Sequence, residues 1–154
     1  MTEVVIRKMR QQDMDAAMDL LQIWNMAPRP PSDDEPEVER SALDVTNSFV
    51  AELDGRIVGV CSYIFMDEEG WAETASLAVD KSLLKNGVGF RLQQARLDEM
   101  RARGIRKVRS ESDRSETIQW YVKCFGYRVV GSNPKKHNFS LPHVDSWTIL
   151  ELDL

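Results

Sequence analysis

Trp71-Ala72-Glu73-Thr74-Ala75-Ser76-Leu77-Ala78-Val79, followed closely by Leu84-Lys85-Asn86-Gly87-Val88-Gly89-Phe90, decides the fold. The first run alternates with period two, the signature of a strand: Trp71, Glu73, Ala75, Leu77 and Val79 share one face, and Ala72, Thr74, Ser76 and Ala78 the other. Glu73 is thereby expected in line with Leu77 and Val79. From Val88 to Arg103 the period becomes helical, with Val88, Leu92 and Ala95 on one stripe, Phe90 and Leu97 opposite, and Gly104 as the stop. Ile105–Ser110 reads as the next strand. Strand, helix and strand in that order form a right-handed crossover unit whose two strands run parallel.

Outward from this unit the remaining elements are simpler. Phe49–Leu53 and Arg56–Phe65 are strand-like runs joined by Asp54-Gly55, a dipeptide suited to the positive φ values of a type I′ hairpin turn. The polar turn Asp67-Glu68-Glu69-Gly70 connects the second run to Trp71. At the N-terminus Val4, Val5 and Ile6 predict a short strand. Asp13 is the expected N-cap of a helix whose apolar face carries Met14, Ala17, Met18, Leu21 and Trp24. Proline and repelling acids in Pro28–Pro36 forbid helix, giving a loop. Arg114–Cys124 predicts a second crossing helix ending near Gly126, and Tyr127–Gly131 and Trp147–Leu152 the last strands. The order β-α-β-β-β-α-β-α-β-β implies an α/β fold of one domain, residues 1–154, with a single mixed, largely antiparallel sheet and helices on its faces.

Composition narrows the function. The 154 residues are 42% hydrophobic with a net charge of −5, which supplies a core but not the concentrated basic face that neutralises a nucleic-acid backbone. No nucleic-acid partner is expected. No apolar run approaches the ~20 residues of a membrane span, and residues 1–10 carry no signal-peptide core, so a soluble, cytoplasmic protein is expected. Cys61 and Cys124 sit in apolar segments and are both expected as buried thiols. His137 and His143, separated by Pro142, have no ligand spacing to either cysteine, so no metal is expected.

Leu84–Phe90 joins a strand to a helix, where unpaired N–H groups and the helix dipole attract an anion and glycine admits a close backbone approach. A dinucleotide fingerprint would want glycine where Leu92 stands, and a nucleoside-triphosphate loop would want a Gly-Lys-Ser/Thr ending that is absent. Together with Ser76-Leu77-Ala78-Val79-Asp80 before it and Asp113–Tyr127 after it, this loop resembles the GCN5-related N-acetyltransferase (GNAT) family. The resemblance implies acetyl-CoA as cosubstrate, its pyrophosphate on the main-chain N–H groups of Lys85, Asn86, Gly87, Val88, Gly89 and Phe90, and its pantetheine amides on the strand edge Leu77, Ala78 and Val79. Ser115 is a further implied contact. Leu84 stands where the family pattern has Gln or Arg, and Lys85 or Arg91 is then the replacement cation. The resemblance also implies Glu73 as general base and Tyr121 as general acid, although one extra residue separates Tyr121 from Gly126.

The acceptor implied is a primary amine of a small molecule or peptide. The acidic composition hints at a cationic amine, with the first helix, the proline-rich loop and Gly131–Ser146 walling the acceptor side. A non-catalytic acyl-CoA-binding sensor module and an unrelated α/β nucleotide binder are the rival readings. Monomer and homodimer both stay open.

Overall fold

Asp54 and Gly55 take φ values of 53° and 77°, the two consecutive left-handed residues of the expected hairpin turn, and join β2 (Ser48–Leu53) to β3 (Arg56–Phe65). The computed structural model describes residues 3–26, 43–135 and 140–154 of the chain. Before this hairpin come β1 (Val5–Lys8) and α1 (Met14–Ile23); after it come β4 (Trp71–Val79), α2 (Val88–Ala102), β5 (Lys107–Ser112), α3 (Ser115–Phe125), β6 (Arg128–Pro134) and β7 (Ser146–Asp153). This is the element order read from the sequence. The proline-rich segment Pro28–Pro36 and His137 lie outside the described residues.

All seven strands form one sheet in the order β1-β2-β3-β4-β5-β7-β6, antiparallel except for the β4–β5 pair. α1 buries Ala17, Leu20 and Leu21 against Val50, Val60 and Ala78 on one face. α2 and α3 cover the other, where Val88 and Leu92 meet Val58 and Cys61, and Leu97, Met100 and Tyr121 meet Ala72 and Val108. Gly59 sets how closely α2 lies: a Cβ there would stand 2.8 Å from Leu92 Cδ1 and 3.2 Å from Val88 Cγ1. Asp13 does not cap α1 with its side chain. Its carboxylate instead accepts from Arg7 at 2.7 and 3.0 Å and from the Arg10 N–H at 2.8 Å, and the hydrogen bonds from Arg7 hold its pKa below the usual range.

The strict alternation expected for β4 fails at its centre. Thr74 faces Tyr63 and Leu77 faces Cys61, so Ala75 and Ser76 together oppose Ser62 in a β-bulge. Residues directly opposite one another share a face, and the extra residue shifts the parity. Leu77 and Val79 therefore lie with Thr74 on the α2 face, whereas Glu73, opposite Ile64, lies on the α1 face with Ala78. Glu73 is not in line with Leu77 and Val79.

A bulge leaves ladder groups unpaired, and here one side chain takes them up. Arg96 of α2, fully buried, donates through Nη1 to the carbonyls of Ser62 (3.0 Å) and Ser76 (2.8 Å), while the Ser62 hydroxyl accepts from the Ser76 N–H at 3.2 Å. Its Nε donates to Gln93 Oε1 at 2.5 Å and its Nη2 to the Tyr121 hydroxyl at 2.9 Å. Gln93 Nε2 in turn donates to the Tyr127 hydroxyl at 2.8 Å, and burial pushes that phenol up to about 12. The apolar pattern of α2 did not reveal this: Gln93 and Arg96 occupy the buried stripe, and Phe90 stays exposed. Cys61 is buried, its thiol raised to about 11 by desolvation, but Cys124 lies on the solvent side of α3 and is exposed, contrary to expectation.

Arg96→Met should lower unfolding stability by about 3 kcal/mol or more, because four buried acceptors lose their donor at once. Urea denaturation of the two proteins measures this.

Candidate active site

β4 and β5 pair only from Trp71↔Lys107 to Thr74↔Ser110. The buried hydroxyls of Thr74 and Ser110 hydrogen-bond at this last rung. Beyond it β5 continues only with β7, pairing Glu111 with Ile149 and Ser112 with Thr148, while β4 stays with β3. A gap opens between two strands of one sheet. Asp80 N–H donates to Val58 O at 2.8 Å, so the alternation of the backbone points the Ala78 groups at β3 and those of Leu77 and Val79 into the gap. The indole Nε1 of Trp24 donates to Val79 O there at 2.9 Å.

A cavity of about 370 Å³ occupies the gap and is lined from both faces of the sheet: Phe90, Trp120 and Tyr121 belong to the α2/α3 side, Trp24 and Met26 to the α1 side. Side chains from both faces of the sheet thus meet at one cavity. Tyr121 is 5% exposed, packed against Trp120 and Tyr127 at ring separations of 5.1 and 4.8 Å. A guanidinium only donates, so the Tyr121 oxygen accepts from Arg96 and its own proton is left to point elsewhere.

At the end of β4, Asp80 caps a single 3-10 turn, Lys81–Leu83, accepting from the Ser82 N–H at 2.9 Å and hydroxyl at 2.7 Å. Lys85 and Gly87 then take positive φ, 71° and 81°, and Gly87 is the N-cap of α2 without a side-chain cap. The first backbone bond of that helix runs from Arg91 N–H to Gly87 O, so the N–H groups of Val88, Gly89 and Phe90 precede it and are free of intrahelical partners. These groups, with the positive end of a 15-residue helix, form a seat for a phosphate-sized anion. Lys85 lines the cavity beside them; Arg91 does not, and its Nη1 donates to Val4 O at 2.7 Å.

Of the residues singled out from the sequence, Leu77, Ala78, Val79, Lys85, Gly87, Val88, Gly89, Phe90 and Tyr121 line this cavity. Asn86 and Ser115 are exposed outside its lining, and Arg114, Glu116 and Thr117 stand where Ser115 was expected. Glu73 is half-buried on the α1 face, also outside the lining, in register beside Arg109. Arg109 holds Glu111 at 2.7 Å, and the guanidinium pKa is raised chiefly by that bond and also by the charge of Glu73. Glu111 itself lines the cavity, a carboxylate that the sequence reading passed over; its place two residues beyond Arg109 on a strand was the available signal. Trp24, expected on the apolar face of the first helix, and Trp147, expected at the start of the last strand, line the cavity as well. Among the described residues no group of three or more His, Cys, Asp or Glu side chains gathers as a metal site. No helix among them is long and apolar enough to cross a membrane.

Residues 15–127 match the family model described as the acetyltransferase (GNAT) family. Ard1 from Thermoplasma volcanium superposes with a TM-score of 0.74 at 20% identity, over 98% of this chain and 97% of that one. The ribosomal-protein-S18-alanine N-acetyltransferase of Escherichia coli gives 0.72 at 17% identity, over 98% and 94%. N-acetylglutamate synthase from Neisseria gonorrhoeae, complexed with coenzyme A and N-acetyl-glutamate, gives 0.72 at 20% identity over 99% of this chain, which spans only 35% of that longer one. No curated protein matches the sequence. At these identities the superpositions speak for the fold, and the family model covers well over half the residues: the chain belongs to the GNAT acetyltransferase family.

Proposed function

We propose that the chain, acting as one domain, transfers an acetyl group from acetyl-CoA to a primary amine of a small molecule or peptide. The observation that carries this reading is the cavity between β4 and β5, lined by side chains from both faces of the sheet and bordered at the α2 end by uncapped N–H groups. Two substrates can then meet from opposite sides. The coenzyme A held by the Neisseria gonorrhoeae structure supports the choice of donor.

In this reading the N–H groups of Val88, Gly89 and Phe90 hold the diphosphate, with Lys85 as the cation in place of the family's residue at Leu84; the Asn86 N–H is already donated to Leu83 O at 3.2 Å. The chain edge at Leu77 and Val79 takes the pantetheine amides, and Ser115 makes at most an outer contact. The amine nitrogen attacks the thioester carbonyl carbon, the C–S bond breaks, Glu73 accepts the proton released from nitrogen, and Tyr121 gives its phenolic proton to the departing sulfur. Arg96 supports the last step, since a donor already fixed on the phenol oxygen stabilises the charge left there. Glu73 on the α1 face and Tyr121 on the α2/α3 face suit these separate tasks. Because Glu73 lies outside the cavity lining, it reaches the amine through water.

The proton transfers differ in size. Neutralising an ammonium of pKa near 10.4 at pH 7 costs about 4.6 kcal/mol, and protonating a thiolate of pKa near 8.5 relieves about 2 kcal/mol. The base therefore matters more for a lysine-like amine, and far less for an α-amine near pKa 8, where the figure is about 1.4 kcal/mol.

Acetyl-CoA should raise the melting temperature of the protein, and Gly87→Ala, which sets a Cβ on a residue at φ 81°, should weaken its binding about tenfold by calorimetry. Absence of binding at millimolar acetyl-CoA defeats the whole reading. Thiol release over an amine panel tests the chemistry. Glu73→Gln should lower kcat much more at pH 7 than at pH 9, where about a hundredfold more of the amine is already neutral; an equal loss at both, or a pH-selective loss in Glu111→Gln instead, assigns the base elsewhere. Tyr121→Phe should cost at least about tenfold in kcat, and the loss should shrink with an acetyl thioester of a more acidic thiol. Unchanged turnover removes Tyr121 from the reaction.

A further inference from the structure

The α1-face side of the cavity is built around Trp24, and among the described residues two cations gather over its ring. Arg114, at the N-cap of α3, stacks its guanidinium 5.1 Å from the Trp24 ring centre, and Lys81 places its ammonium 4.9 Å from the same ring. Arg114 Nε donates to Ser140 Oγ at 3.1 Å. Ser140 is itself fixed, donating to Asp113 Oδ1 at 2.7 Å. The guanidinium is therefore held at its plane by an indole and at one edge by a hydroxyl. Its two Nη groups have no acceptor, and Arg114 forms no ion pair, among the described residues.

Two of the neighbouring acids, Asp113 and Glu111, are already committed. Asp113 is buried with both oxygens occupied: Oδ1 by Ser140, Oδ2 by Lys135 at 2.5 Å and by the Leu141 N–H at 2.8 Å. Burial alone would push this carboxyl up; the hydrogen bonds from Lys135, Leu141 and Ser140 outweigh it and hold the pKa below the usual range. Glu111 accepts from Arg109 at 2.7 Å and from Asn133 at 3.1 Å. Glu116 also lines the cavity, exposed on the first turn of α3, and makes no ion pair with Arg114. A planar guanidinium with a free pair of Nη groups beside an aromatic wall matches a carboxylate, which takes two parallel N–H bonds.

We propose that Arg114, supported by Trp24 and Ser140, is a subsite for a carboxylate on the acceptor, so that the amine substrate is an amino acid or a compound carrying an equivalent acid beside its amine. The inference rests on the acetyltransferase reading for calling this part of the cavity the acceptor side. It also reverses the hint of a cationic acceptor drawn from composition.

The test is calorimetric titration of the protein saturated with CoA, which completes the site without transfer. The probes are amino acids, their carboxamides and the corresponding decarboxylated amines, compared in matched sets. In at least one set the acid should bind about 10- to 100-fold more tightly than the other two, Arg114→Leu should erase the difference, and Arg114→Lys should keep part of it. Three results overturn the proposal: carboxamides or amines binding as tightly as the acids in every set, no binding by any probe, or loss of CoA affinity in Arg114→Leu to the same extent as acceptor affinity, which would assign the arginine to a phosphate of CoA. Should CoA itself fail to bind, the acetyltransferase reading falls separately, and the same titrations without CoA still read the carboxylate preference.

Discussion

A buried guanidinium cannot shed its charge, so it must be surrounded by acceptors, and Arg96 organises the middle of the molecule on that condition. Its partners come from four places: the β3 carbonyl of Ser62, the β4 carbonyl of Ser76, Gln93 one turn before it on α2, and the Tyr121 hydroxyl of α3. The bulge needs donors because its extra residue has broken the ladder, and the arginine needs acceptors because it is dry. Each supplies what the other lacks. With both satisfied, β4 keeps its odd geometry and α3 is held against the cavity at one named atom.

The consequence for chemistry runs through strand parity. Were β4 regular, Glu73 would share a face with Leu77 and Val79, on the same side as the turn that seats an anion. The inserted residue moves it to the α1 face, on the side of Trp24 and Arg114. In the proposed reaction a base belongs with the amine and an acid with the sulfur, and the bulge separates Glu73 from Tyr121 in that sense. The gap follows the same logic. β5 leaves β4 after Ser110 while keeping its pairing with β7, and only a strand released on that edge can turn the amides of Leu77 and Val79 toward a ligand.

What the sequence made legible was local and periodic. Asp54-Gly55 announced its turn because two consecutive positive φ values leave few residue choices, and Trp71–Val79 was bounded correctly because a bulge alters facing without ending a strand. The glycine turn was readable for the same conformational reason. Three features were not legible, each for a physical cause. The parity of Glu73 depends on how β3 pairs, which no single strand encodes. Arg96 and Gln93 look like solvent-side residues until the bulge they serve is known. Cys124 looks buried in Trp120–Tyr127, an apolar run whose helical turn sends one of its side chains to solvent. The resemblance to the family carried the site as a whole, and the coordinates separate cavity-lining residues such as Lys85 and Tyr121 from Asn86, Ser115 and Arg91, which point or bond elsewhere.

Net charge was the least informative quantity. A value of −5 describes the surface as a sum, but a ligand senses the charges left after internal pairing. Around the cavity that pairing is lopsided. Asp113 is neutralised by Lys135 with side chains 1% and 4% exposed, and Glu111 by Arg109, whereas Arg114 and Lys81 keep their charge against the face of an indole, which attracts a cation without cancelling it. Among the described residues, one side of the cavity thus carries two cations in a protein whose net charge is −5. The same reasoning covers the other side, where uncapped N–H groups and Lys85 make a second positive pole although Leu84 is apolar. Cations on both sides of the cavity among the described residues suit the proposed pairing of a donor and an acceptor that are each anionic away from their reacting atoms.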